Sequence, residues 1–243
     1  MKVAFVDERI EMEEMENLQQ FTIKVIKVPK TNLTYEAVSG HPDILIHICD
    51  DKVILHKDID KTFLQYLKSL NLNVLLSKKS IGYKYPNNII LNCVSTSEFF
   101  IHNAKYTDEK LLTLIGNKQI VNVPQGYTKC STAVVSNKAI MTSDTIIADS
   151  MKKLGMDVLL LPPGDILLPG LDYGFIGGTC GLIDDKTMCF YGNLEKYKYG
   201  NDVIDFLKKH NVKPVYLSNG KLVDRGSILV IDTESIHHCD DNH

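Results

Sequence analysis

The sequence contains no tryptophan, no C-x-x-C pair, no surplus of positive charge and no apolar run long enough to cross a bilayer. Each absence excludes something. The longest apolar runs, such as Val158-Leu159-Leu160-Leu161, fall far short of the roughly 20 residues a membrane helix needs, so no membrane partner is expected. Lys and Arg number 27 against 30 Asp and Glu, and the net charge is −3. Duplex-binding proteins carry a basic surplus to neutralise phosphates, so no nucleic-acid partner is expected. The first residues, Met1-Lys2-Val3-Ala4-Phe5-Val6-Asp7-Glu8-Arg9, run into an acidic stretch with no room for a signal-peptide core. A cytoplasmic location is therefore expected. The six cysteines, at 49, 93, 130, 180, 189 and 239, lack the spacing of a zinc knuckle or redox motif. Cys49, Cys93, Cys180 and Cys189 lie in apolar segments and read as buried free thiols. No metal site and no cofactor is expected.

What is present is an ordinary globular composition. Hydrophobic residues make up 44% of 243, which excludes disorder for the bulk of the chain. The length supplies a core that needs no disulfide or metal staple. No composition break or Ser/Gly-rich linker divides the chain, so residues 1–243 are expected to form one domain.

A unit of strand, polar turn, strand, helix and strand recurs along the sequence. The first copy opens at Gly40-His41-Pro42-Asp43, with a strand expected over 44–48, a turn at Asp50-Asp51-Lys52, a helix carrying Phe63, Leu64 and Leu67, and a strand over 73–76. The second opens at Tyr85-Pro86-Asn87-Asn88, with strands expected over 89–94 and 99–102 and a helix starting at Thr107-Asp108-Glu109 and ended by Gly116. The third opens at Gln125-Gly126-Tyr127-Thr128-Lys129-Cys130; its helix, over 147–154, has Asp144 as a candidate cap. The fourth opens near Gly170-Leu171-Asp172-Tyr173, with a first strand expected from Phe175 to Ile183. The fifth copy is split. Gly220 to Ile231 supplies its first strand, and residues 1–30 supply the missing strand, helix and strand. Joining the ends, about 1–30 with 219–232, closes a ring without free edge strands and leaves 233–243 as a polar tail. Stacked units share a burial that none achieves alone. The expected fold is thus an α/β five-bladed propeller of pseudo-fivefold ββαβ repeats, with helices outside and first strands lining a central channel.

This pattern resembles the pentein fold of the guanidino-group-modifying enzymes, which include arginine and agmatine deiminases, amidinotransferases and dimethylarginine dimethylaminohydrolases. A closer resemblance is to a bacterial family of that fold with no assigned activity. It is carried by Gly40-His41-Pro42-Asp43, Tyr85-Pro86, Gln125-Gly126-Tyr127-Thr128-Lys129-Cys130, Gly174-Phe175-Ile176-Gly177-Gly178 and Asp224-Arg225-Gly226-Ser227. The resemblance implies a Cys nucleophile on the last unit, a His on the preceding one and carboxylates that grip a guanidinium. This sequence departs from that pattern twice. Asp224-Arg225-Gly226-Ser227 holds no Cys, and Asp172-Tyr173-Gly174-Phe175 holds no His.

The candidate chemistry moves accordingly. Cys130 stands beside Lys129, and a nearby cation lowers a thiol pKa. The channel would bring it to His41 and Asp43 as a relocated Cys-His-Asp set; a ligand-contact role or a buried structural thiol are the alternatives. His41-Pro42-Asp43 also reads as turn chemistry, and His47 as a core histidine. The glycines 174, 177, 178 and 181 interrupt strand-like residues and read as close backbone approach rather than a phosphate loop. Asp224 and Arg225 could pair, anchor the ring closure or bind a ligand. Arg225 with Lys129 would suit a carboxylate or other small anion. Tyr173 and Asp165 are placed at the channel mouth. In the tail, His237, His238 and Cys239 are metal-binding residue types without the support of a closed site. The expected partner is a small amidine-, guanidino- or carboxylate-bearing molecule in the central channel. The protein is then a Cys-dependent hydrolase or amidinotransferase-like enzyme acting on C–N bonds, or a non-catalytic binding or scaffold protein on the same fold.

Overall fold

The computed structural model describes residues 1–21 and 23–233. In chain order, β1 (Lys2–Asp7), α1 (Met12–Gln19) and β2 (Lys24–Val28) come first. A one-turn helix α2 (Pro42–Leu45) leads into β3 (Ile46–Cys49), followed by β4 (Lys52–Leu55), α3 (Lys61–Ser69) and β5 (Asn73–Leu76). The second unit holds β6 (Val94–Ser95), β7 (Phe99–His102), α4 (Glu109–Leu112) and β8 (Gln119–Asn122). The third holds α5 (Thr128–Ser131), β9 (Thr132–Ser136), β10 (Ala139–Thr142), α6 (Thr145–Lys153) and β11 (Asp157–Leu160). The fourth opens with a 3₁₀ turn at Ile176–Thr179, then β12 (Cys180–Asp184), β13 (Thr187–Phe190), α7 (Gly200–Lys209) and β14 (Lys213–Tyr216); β15 (Leu229–Asp232) follows.

These strands form five three-stranded sheets. In each, the first strand runs antiparallel to the second, and the second runs parallel to the third. The termini share one sheet: β15 pairs with β1 in the register Lys2↔Asp232 to Phe5↔Leu229, and β1 pairs with β2. First strands pack on one another between sheets: β12 on both β9 and β15, and β15 on β3. This is the five-bladed pentein architecture, with one blade built from both ends of the chain.

Local chemistry explains the crossover helices. Asp60, Asp108 and Asp144 accept the free amide hydrogens at the starts of α3, α4 and α6. Leu67, Leu111, Ile147 and Met151, fully buried on these helices, turn inward against the sheets. The expected helix after Asp108 is cut to a single turn, because Thr113 and Leu114 close back onto Lys110 and Leu111.

The first strands begin later than expected. Residues 44–45 and 176–179 curl into helical turns, and 89–92 into a turn closed by the Asn92 amide on the Ile89 carbonyl, instead of extending. Three of the five chain segments that converge on the axis do so as helical turns, 42–45, 128–131 and 176–179. Curled segments bring their side chains and amides to one another rather than to a sheet partner. The residues 234–243, with His237, His238 and Cys239, lie outside the described residues.

Candidate functional site

The axis carries a buried hydrogen-bonded plug to which all five units contribute. Asp43 of the first unit accepts from the Cys130 thiol at 3.2 Å through Oδ1 and from the Ser227 hydroxyl at 2.7 Å through Oδ2. Asn92 of the second unit donates from Nδ2 to the Asp43 carbonyl (2.8 Å) and the Cys130 sulfur (3.1 Å). Its Oδ1 accepts from the amides of Lys129 (2.9 Å) and Cys130 (3.3 Å), so its amide is fully used. Gly177 of the fourth unit offers its carbonyl 2.7 Å from Ser227 Oγ, and Lys129 Nζ reaches the same hydroxyl at 3.0 Å. A Cβ at Gly177 would fall on the carbonyl oxygens of Lys129, Cys130 and Thr132. Close backbone approach is why glycine stands there. This plug sits at the axis, where the sequence places a central channel.

One cavity lies against the plug on the side from which the segments arrive. Its volume is about 240 Å³, and its lining includes His41, Cys130, Asp172, Tyr173 and Asp224. Tyr35, Tyr127 and Phe175 form aromatic walls, and Val38, Leu168 and Leu171 complete them. Asp224 is buried, and its carboxylate accepts from the amides of Phe175 (2.8 Å) and Gly226 (3.0 Å). His41 Nδ1 lies 3.8 Å from Asp224 Oδ1 and has no hydrogen-bond partner. Burial pushes the Asp224 carboxyl above the usual carboxylate range, against the opposing pull of His41. A Cβ at Gly178 would strike this carboxylate. Tyr127 is fixed by Tyr35 (3.2 Å between hydroxyls) and by the Asn88 amide (2.8 Å).

A second, smaller cavity of about 70 Å³ lies among the first strands, with His47, Cys93 and Lys129 in its lining. It shares no lining residue with the first.

The sequence-derived set is thus divided. His41, Cys130, Tyr173 and Asp224 meet in the larger cavity. Asp43 lies in the plug behind it, bonded to Cys130. Lys129 turns to Ser227 and the smaller cavity. Arg225 is not in the lining of either cavity. Its Nη1 donates to the Arg9 carbonyl (3.1 Å), its Nη2 pairs with Glu11 (2.8 Å), and its Nε lies 3.0 Å from Glu14. It anchors the N-terminal helix to the closing blade. Asp165 is likewise outside the cavity, accepting from the Lys198 amide (2.8 Å) and pairing with Lys221 at 3.2 Å. The thiol is not acidified by Lys129: burial, then the nearby Asp43 and Asp224 charges, push Cys130 well above its ordinary pKa.

Sequence reasoning missed Asp172, Tyr35, Tyr127 and Phe175. Asp172, Phe175 and Tyr127 stand inside motifs read for something else, a missing His or a nearby Cys. Tyr35 sits in a polar stretch that carries no periodic signal. The described residues contain no cluster of three or more metal-ligating side chains, and none of their helices is long and apolar enough to cross a membrane.

The architecture is that of the pentein fold. Solved structures show the same architecture at low identity. One is an agmatine deiminase from C. jejuni, at 11% identity over 90% of each chain and TM-score 0.56. Another is DDAH from Pseudomonas aeruginosa complexed with citrulline, at 6% identity over 90% of this chain and 91% of that one, TM-score 0.52. A third is an amidinotransferase of the saxitoxin biosynthetic pathway from Microseira wollei, at 10% identity over 92% and 93%, TM-score 0.51. Likeness at this identity establishes the shared fold. Within it, the chain belongs to the Family of unknown function (DUF6873), whose model matches residues 5–229. No curated protein matches the chain.

Proposed function

We propose that the protein binds a small molecule bearing an amidine or guanidino group in the 240 Å³ cavity, with Asp224 as the counter-charge on its floor. The observation that carries this reading is a buried carboxylate fixed by two backbone amides and turned to a largely apolar, aromatic-walled space. Such pockets, with few convergent polar groups, are where small ligands bind. A planar N–H fork is matched to a carboxylate. The pentein neighbours, one of them complexed with citrulline, lend the fold-level analogy. Titration of the full chain with benzamidine should show saturable binding. Asp224→Asn should weaken it about tenfold, or about 1.4 kcal/mol. A variant that keeps its circular dichroism and its affinity would reject the role of Asp224.

One observation favours turnover as a second reading: the Cys130 thiol in the cavity lining points at Asp43 Oδ1. Passing its proton to Asp43, the sulfur would attack the amidinium carbon and form a C–S bond. The C–N bond then breaks as the amine leaves with a proton, and water hydrolyses the adduct. The raised thiol pKa weighs against this. Binding without covalent chemistry is therefore the preferred reading. Ammonia or amine release that disappears in Cys130→Ala would reverse that preference.

A further inference from the structure

We infer that the ligand of this cavity is a compact organic cation that carries no carboxylate, which deepens and rests on the binding role proposed above. The argument begins with charge. Among the described residues lining the cavity there are two carboxylates, Asp172 at the exposed rim and Asp224 on the floor, and neither lysine nor arginine. The two cations that the sequence places beside it are occupied elsewhere. Lys129 reaches Ser227 in the plug, and Arg225 is held by Glu11 and Glu14. A carboxylate entering the cavity would meet carboxylates at the rim and on the floor, and the one titratable nitrogen facing it, His41 Nδ1, already lies 3.8 Å from Asp224; desolvating an anion without a cation of its own is costly.

The walls select in the same direction. Tyr35, Tyr127, Tyr173 and Phe175 surround the space, the last two in edge-to-face contact at 6.1 Å. Aromatic faces attract desolvated cations and stack on planar amidinium groups. His41, almost fully buried in the lining, keeps an unpartnered Nδ1 beside Asp224, so the floor has a polar atom that the protein itself does not satisfy.

Volume sets the size. The cavity of about 240 Å³ equals roughly eight water volumes at ~30 Å³ each. That suits a ligand of about eight to ten non-hydrogen atoms, an alkyl- or aryl-substituted amidine, guanidine or amine rather than a full amino acid.

The test compares agmatine with arginine, which differ by one carboxylate, by calorimetric titration of the full chain at physiological salt. Agmatine should bind at least tenfold more tightly than arginine. Asp172→Asn, at an exposed position that folding does not depend on, should narrow that ratio several-fold. Tyr173→Leu should weaken agmatine binding while the variant stays folded. Arginine binding within threefold of agmatine, or a ratio unmoved by Asp172→Asn, would overturn the inference while leaving the cavity as a guanidino site. If agmatine, arginine and benzamidine all fail to bind, the binding role falls, and this inference with it.

Discussion

The two cavities at the axis each hold a His and a Cys and differ in what they can do. One has His41, Cys130 and Asp224; the other has His47, Cys93 and Lys129. In the smaller one, the Cys93 sulfur lies 3.4 Å from His47 Nδ1, a pairing that looks more like a nucleophile and its base than anything in the larger cavity. Yet burial lowers the His47 pKa to about 3 and pushes Cys93 well above its ordinary value. That imidazole cannot become charged at neutral pH, nor can the thiol easily ionise. The space beside them is about 70 Å³, too small for a substrate. In the larger cavity, carboxylates and aromatic rings face a volume that admits a ligand. A His near a Cys therefore says little by itself; the charge around the pair and the space in front of it decide.

The plug between the cavities is where that comparison can be broken most forcefully. Asp43→Ala would remove the acceptor for both Cys130 and Ser227. Leaving a buried donor unsatisfied costs about 1–3 kcal/mol, to be read as a lower denaturant midpoint. A loss under about 1 kcal/mol would mean that the units do not depend on the plug. The thiols give the next effect. Cys130 and Cys93, both raised in pKa, should be labelled by iodoacetamide far more slowly than a free thiol near neutral pH. Mass spectrometry of the labelled peptides reads this, and rapid modification of Cys130 alone would restore the catalytic reading.

A smaller effect concerns pH. The His47 pKa is about 3 when folded and ordinarily 6.5. Between those values the unfolded chain takes up a proton that the folded chain refuses. Stability should therefore fall as pH drops through that window, by about 1.4 kcal/mol per unit for this one site. His56 and His102, both lowered to about 4 by burial, act in the same direction. His47→Gln should flatten the dependence by about one proton in the range from pH 6 to 4. An unchanged slope would show that the smaller cavity is wetter than its geometry implies. Least of all should Lys221→Ala matter. Its ion pair with Asp165 is exposed, so less than about 1 kcal/mol is at stake, and benzamidine affinity should not move. A change in affinity would put Asp165 back at the cavity.

Much of the ring was legible because its signals are local. The alternation of strand, turn and helix follows from residue periodicity, and Asp144 as a helix cap follows from its position before an apolar run. The split blade could be read because the missing strands had one place left to come from, and the Val3↔Ile231 pairing is the result. The axial turns could not be read. Residues 89–91 and 176–179 are apolar or small and look like strand, but at the axis their partners are segments far away in the chain.

The amino-acid order alone carried the number of units, the exchange of the termini and the presence of His41, Cys130, Tyr173 and Asp224 near one another, because repeats and periodic burial are written in neighbouring residues. Which way each polar side chain turns was settled only by packing. Lys129 and Cys130 are adjacent and yet line separate cavities, and Arg225 follows Asp224 but leaves the floor for Glu11 and Glu14. Adjacent residues on a tight turn point in different directions. Their partners are contributed by other blades, so the sign of charge in the cavity exists only once the ring has closed.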